Sequence, residues 1–224
     1  TLHAKNVILT TGGFGANGDM VKEYNTYWPA IPEGIKTTNV VGATGDGIEL
    51  GLQAKASLTG MGMVQLMPTA SAVTGQLADG LLVPSQYYMF VNQEGNRFVN
   101  EYAERDVLAS AALSPSENLI ASVEKYNSYV DAGNDPDFGK NVFGSKIETA
   151  PFYAVIEKPS VHHTMGGLTI NTEAQVLNEA GEAIQGLYAA GEVTGGIHGG
   201  NRVGGNAIAD IMVFGRIAGA NAAK

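Results

Sequence analysis

Three glycine-rich turns constrain this chain more than any other feature. The first, Thr10-Thr-Gly-Gly-Phe-Gly15, follows a strand-like run, Asn6-Val-Ile-Leu-Thr10. The second, Gly42-Ala-Thr-Gly-Asp-Gly47, opens a helix-like segment carrying Ile48, Leu50, Leu52 and Ala54. The third, Gly199-Gly-Asn-Arg-Val-Gly-Gly-Asn206, comes after the strand-like Gly186-Leu-Tyr-Ala-Ala-Gly-Glu192 and opens a final helix. Glycine lets a backbone approach a bound group closely, and a helix N-terminus offers unpaired N–H groups to an anion or a ribose hydroxyl. Read singly, the turns have plainer roles: a tight strand-to-loop connection at Gly12 and Gly13, a helix cap at Asp46. Read together, they suit a large phosphorylated or dinucleotide cofactor. No Gly-x-Gly-x-x-Gly with an acidic residue about twenty positions on follows an early strand, so the pyrophosphate-binding half of such a fold is expected to be missing.

Composition removes other classes. The 224 residues carry 13 Lys plus Arg against 22 Asp plus Glu and no Cys. A net charge of −9 without a cationic stripe argues against a nucleic-acid partner. Without Cys there is no disulfide, thiolate zinc site, iron–sulfur cluster or thioether-linked haem, and no His/Asp/Glu set has metal-ligand spacing, so no metal site is expected. No apolar run approaches the ~18 residues of a membrane span, so the chain is expected to be soluble. Thr1 to Ala4 lack the features of a signal peptide and lead almost at once into a strand, which suggests a start in mid-domain and leaves localisation open.

From Met61 to about Ala150 the pattern changes. Short strand-like runs, Leu81-Leu-Val83 and Tyr87 to Val91, precede a hairpin-type turn at Asn92-Gln-Glu-Gly95. Helices are expected from about Glu104 to Ala112 and from about Glu117 to Ala132. This stretch reads as an α+β unit inserted between two halves of another domain. Further on, Leu168 to Ile170 and Ala174 to Leu177 read as a β-hairpin with the polar turn Asn178-Glu-Ala-Gly181. The final helix is expected to be capped by Asn206, with Ile208, Ile211, Met212 and Gly215 on one face.

Arg202, the pair His162 and His163, and Arg105 suggest recognition of a planar anion, because guanidinium forks match carboxylate oxygens. The plainer alternatives are surface ion pairing, Arg105 with Glu104 or Asp106, and packing roles for the histidines.

Four motifs then carry a family resemblance: Gly186 to Ile208 as a block, Val161-His-His-Thr-Met-Gly-Gly167, Glu94-Gly-Asn-Arg-Phe-Val-Asn-Glu101 with Arg105-Asp106, and Ala43-Thr-Gly-Asp-Gly47. Together they resemble the flavoprotein subunit of fumarate reductases and succinate dehydrogenases, of the soluble flavocytochrome c and urocanate reductase type. The resemblance implies an α/β FAD-binding domain, three-layered and Rossmann-like, incomplete here and interrupted by an α+β capping domain. Residues 1–60 and 164–224 would be flavin-domain portions and 61–163 the cap, with the active site where they meet. It also implies that FAD is contacted by Gly12, Gly13, Asp46, His163, Glu192, Asn206, Ala207 and Ile208. His162, Arg202 and the Gly205 backbone would hold a substrate carboxylate, and Arg105 would give a proton to the adjacent carbon. An electron-donor domain or protein, carrying FMN or haem, would lie outside these residues.

Three departures qualify the resemblance. Where fumarate reductases place a substrate-binding His before Pro-Thr, this chain has Met67-Pro68-Thr69, which predicts a substrate with a less polar far end than fumarate. The proton-relay stretch is replaced by Gly80 to Gln86, leaving Asp79 or Glu101 as weak substitutes. Several dozen cap residues are absent between Leu113 and Asn118. The expected activity is FAD-dependent reduction of an α,β-unsaturated carboxylate, such as an aromatic, imidazole-bearing or alkyl acrylate. The alternatives are a flavin dehydrogenase or oxidase on the same scaffold, or a cofactor-free fragment.

Overall fold

The computed structural model describes residues 3–29, 31–77, 85–112, 119–149 and 157–224. They form two compact units, Thr1–Gln65 with Val161–Lys224, and Leu66–Ser160. The chain passes from one to the other within strands β3 (Val64–Ser71) and β4 (Glu157–Thr164), which pair as a two-stranded sheet.

The first unit is built on a three-stranded sheet of β1 (Val7–Leu9), β6 (Gln175–Leu177) and β7 (Ala183–Ala189) in the order β1-β7-β6. Strand β1 runs parallel to β7, with Val7 opposite Leu187 and Leu9 opposite Ala189, and β6 is antiparallel to β7. A second sheet pairs β2 (Leu58–Thr59) with β5 (Gly167–Leu168). Helices α1 (Gly18–Tyr24) and α2 (Asp46–Gln53) follow the first two glycine turns, and α5 (Asn206–Ala222) follows the third. Among the described residues, sheet and α5 make two layers of the three expected.

Both major helices start differently from expectation. Gly45 and Gly205 are the N-caps, at φ 89° and 87°. A non-glycine residue there would carry the Cβ strain of the left-handed region, so Asp46 and Asn206 are displaced into the first turn. Asp46 instead accepts a hydrogen bond from Thr44 Oγ1 at 2.6 Å. The face of α5 also differs. Ile208 and Met212 are 64% and 68% exposed, while Phe214, Ile217, Ala218 and Ala222 pack with Ala174, Tyr188 and Ala190. Two apolar stripes run along this helix, and the one that packs begins with a buried Asp210, which conceals it from a reading of hydrophobic spacing.

The polar turn at Asn178 joins β6 to β7, not the two arms of the hairpin. Asn178 Oδ1 accepts from the N–H groups of Ala180 and Glu182, and Gly181 takes φ 78°. The hairpin itself turns at Asn171, whose Oδ1 accepts from Glu173 N and Gln175 N.

The second unit holds α3 (Arg105–Ala112) and α4 (Leu119–Ala132), with Val99, Leu108, Ala109 and Tyr126 in its core. The strand-like run Tyr87 to Val91 is irregular, preceded by a turn of 3₁₀ helix at Ser85–Tyr87. Two of its backbone groups are taken by side chains, Tyr88 O by Lys140 Nζ and Phe90 N by a Glu101 oxygen, and Lys140 Nζ also donates to Ser85 O just before the run. Leu81 to Val83, Asp79 and Glu117 lie outside the described residues. Among the described residues no helix is long and apolar enough to cross a membrane.

The two stripes of α5 give opposite expectations. Gly215, whose added Cβ would meet nothing within 4 Å, should tolerate Gly215→Ala with a gain of up to about 1 kcal/mol. Ala218→Leu should cost about 1–3 kcal/mol by overpacking a fully buried site. Urea unfolding of the two variants checks the pair.

Candidate active site

In the first unit the site grows from the end of β4 and the loop after β7. Successive residues of a strand point to opposite faces, so His162 and His163 face different surroundings. His162 Nδ1 shares a 2.7 Å hydrogen bond with the Thr38 hydroxyl. Thr38 is itself fixed, since its N–H donates to Val161 O at 2.8 Å.

His163 is buried, with Nδ1 3.2 Å from Glu192 Oε2. Glu192 Oε1 accepts from Thr164 N at 2.9 Å and Thr164 Oγ1 at 3.1 Å. Burial opposes the charge on Glu192, but the His163 and Thr164 hydrogen bonds outweigh it and hold the carboxyl below its usual range. Gly13 must be glycine here, because an added Cβ would stand against Thr164 Oγ1 and 2.6 Å from Glu192 Oε1.

The His163 ring packs edge-on to that of His198 at 5.4 Å between centroids. His198 Nε2 lies 3.3 Å from Asp210 Oδ2 on α5. Burial pushes His198 down and Asp210 up, which favours the uncharged form of the pair.

Arg202 is 8% exposed, and among the described residues no carboxylate lies within ion-pair distance of it. Its hydrogen-bond partners are neutral. Gln65 Nε2 donates to Arg202 O at 2.7 Å and to Asn201 Oδ1 at 2.8 Å, while Arg202 Nη2 reaches Gln65 Oε1 at 3.4 Å. Arg202 Nε is buried without a hydrogen-bond partner among the described residues. A surface ion-pair role is therefore wrong for Arg202. Burial lowers its pKa, with Glu192 opposing, yet a guanidinium stays charged. Gly205, Asn206, Ala207 and Ile208 follow at the start of α5, and Asp46 sits in the first turn of α2.

In the second unit Arg105 opens α3 and lines a cavity of about 270 Å³ together with Met67, Thr69, Ser85, Tyr88 and Glu101. Thr69 Oγ1 is buried and has no hydrogen-bond partner among the described residues. Glu101 is 1% exposed and both its oxygens are committed: Oε1 to Arg97 Nε at 2.8 Å and Phe90 N, Oε2 to Arg97 Nη2 at 2.9 Å and Lys140 Nζ at 3.1 Å. Arg97 Nη2 also meets Asp135 Oδ2 at 2.7 Å. Arg97 and Glu101 stand four residues apart outside any helix, so their pairing, like Asp135, Lys140, Gln65, Thr38 and the His198–Asp210 pair, gave no local signal in sequence.

A family described as an FAD binding domain matches residues 1–208. The chain belongs to that family. It is 46% identical to the NADH:acrylate oxidoreductase of Vibrio harveyi, over 99% of this chain and 27% of the relative. It is 37% identical to the urocanate reductase of Eggerthella lenta, over 98% of this chain and 45% of the relative. The structure of the open conformation of a flavocytochrome c3 fumarate reductase superposes with a TM-score of 0.81 at 36% identity, covering 98% of this chain and 46% of that one. The chain thus spans less than half the length of these relatives. The first alignment runs over 271 residues against the chain's 224, so the relative carries additional residues inside the matched span.

The residues present fit FAD in two respects. His163 Nε2 is buried and has no hydrogen-bond partner among the described residues. Gly12, Gly199 and Gly205 take φ of 81°, 63° and 87° and open onto space where a Cβ would meet nothing within 4 Å.

The depressed Glu192 carboxyl sets a pH dependence. Its stabilisation is complete above the ordinary value of 4.5 and is lost as pH falls through the lower folded value. Glu192→Gln is expected to lower stability at pH 7 and to flatten its acid dependence below pH 4.5, read from urea midpoints between pH 3 and 7.

Proposed function

We propose that this chain forms the flavin- and substrate-facing part of an FAD-dependent reductase of a small α,β-unsaturated monocarboxylate. The observation that carries the reading is Arg202: a buried guanidinium with no carboxylate partner among the described residues, held in place by neutral Gln65. Burying such a charge is costly unless an anion completes it, and a planar carboxylate matches its fork.

In this reading His162, fixed by Thr38, and the Gly205 backbone join Arg202 in holding the carboxylate. Gly12, Gly13, Asp46, His163, Glu192, Asn206, Ala207 and Ile208 hold FAD. When bound, FAD supplies a hydride to the carbon β to the carboxylate. The α carbon takes a proton, so the C=C bond becomes a single bond and the charges balance. Arg105 is the residue assigned to that proton transfer, and its positive charge also lowers the cost of negative charge growing on the α carbon. The α5 N-terminus contributes a partial positive charge that favours an anionic reduced ring.

Met67 is what separates this reading from fumarate reduction. A thioether donates no hydrogen bond, so it leaves a second carboxylate unsatisfied but accommodates a bare alkene terminus. The name of the Vibrio harveyi relative, NADH:acrylate oxidoreductase, supports acrylate as the substrate and NADH as the ultimate donor, acting through a domain or protein outside these residues.

The test uses the full-length, FAD-loaded protein, reduced anaerobically. Acrylate is expected to reoxidise it at least about tenfold faster than fumarate, and Met67→His to narrow that ratio. Equal rates with fumarate would remove the role of Met67, and reoxidation by dioxygen only would remove the reductase reading.

A further inference from the structure

We infer that Lys140 is a positioning residue: its ammonium clasps two separate segments of the cavity wall and so holds Arg105 where a proton can be delivered. This inference rests on the function proposed above.

The Lys140 side chain is fully buried. Its Nζ donates to Ser85 O at 3.0 Å, in the first residue of the 3₁₀ turn, and to Tyr88 O at 3.2 Å, just after it. The same nitrogen meets Glu101 Oε2 at 3.1 Å and Tyr126 Oη at 3.1 Å. Ser85, Tyr88 and Glu101 all line the cavity that contains Met67 and Arg105. Glu101 stands four residues before Arg105, so the clasp acts on the loop that feeds directly into the first residue of α3.

Lys140 is well anchored in its turn. Its N–H donates to Asp135 Oδ2 at 3.2 Å, and its ammonium sits 4.9 Å from the Tyr126 ring centroid. Arg97 and Lys140 balance Glu101 and Asp135 in charge, so the cluster is neutral as a whole. A buried cluster of this kind is poor evidence for stability, since well-packed apolar residues often serve as well or better. What apolar residues cannot do is bind two carbonyls and a carboxylate at one point. An ammonium has three donors and no fixed plane, which suits partners arriving from different directions.

Removing the ammonium leaves Ser85 O and Tyr88 O without it and Glu101 held by Arg97 and Phe90 N. The wall segments are then free to separate, and a displacement of ~1 Å in a reacting group costs ~10²-fold in rate. In the full-length holoenzyme, Lys140→Met is expected to lower kcat per bound flavin about 100-fold with acrylate, with KM changed less than about threefold. Lys140→Arg, which keeps the charge but spreads its donors over a plane, is expected to recover about tenfold of that loss. Should Lys140→Met not accumulate as a flavoprotein, Lys140→Arg decides: a fall of about tenfold in kcat at unchanged KM supports the inference, and wild-type kcat overturns it. A purely structural role would lower flavin content or melting temperature and leave kcat per bound flavin intact, which also overturns it. Arg105→Met separates the two levels. Full activity in that variant, or a wild type inert toward every unsaturated carboxylate, defeats the proposed function and the inference with it. A dead Arg105→Met beside an unimpaired Lys140→Met defeats the positioning role only.

Discussion

The Glu192 carboxylate is the point on which the first unit turns. It receives the backbone and hydroxyl of Thr164 at the end of β4 and the imidazole of His163, and it leaves no room for a Cβ on Gly13 in the turn after β1. One partly buried anion therefore ties the end of β4 and the turn after β1 to the loop that leaves β7. Drawing a carboxylate even partly out of water is costly unless it is paired and hydrogen-bonded, and here His163 and Thr164 supply both. The loop it anchors continues through Gly195 and Gly196 to His198, Arg202 and the start of α5, so the placing of the proposed carboxylate-binding group follows from it.

The second unit solves a similar problem with opposite means. Its centre is an array of two cations and two anions around Tyr126, whose phenol burial pushes up to about 12 and keeps neutral as a hydrogen-bonding group. Burial opposes the charge on Lys140, and Glu101 supports it. This array helps dictate backbone shape: the run Tyr87 to Val91 has the residue types of a strand, yet the Tyr88 carbonyl and the Phe90 N–H are taken by Lys140 and Glu101, and Val91 makes an isolated bridge to Arg97. Each unit also keeps a buried polar group without a hydrogen-bond partner among the described residues, Arg202 Nε in one and the Thr69 hydroxyl in the other.

Much of this was legible where the constraint is local. The glycine turns were found because a positive φ and a close approach require glycine, and Gly12, Gly45 and Gly205 all adopt φ between 81° and 89°. The same physics displaced the helix caps by one residue, since composition favours Asp and Asn as caps while the backbone demanded glycine. Hydrophobic spacing identified α5 but not its packed face, because two stripes compete and the buried one includes an aspartate. Gln65 and Thr38 were not readable: their partners lie 137 and 124 residues away in sequence, and nothing in their immediate neighbours marks them. The motifs around His162, Arg202 and Glu192 pointed to the family, whereas Lys140 and Asp135 emerged only once the chain was folded.

The buried Arg202 guanidinium is the group proposed to receive the substrate carboxylate. The most direct measurement is calorimetric binding of propionate and of its neutral isostere propionamide to the full-length, FAD-loaded protein. A charge-assisted pair contributes roughly 1.5–3 kcal/mol, so propionate is expected to bind about 10- to 100-fold more tightly, with the preference lost in Arg202→Met. Equal affinity for the acid and the amide would contradict the account.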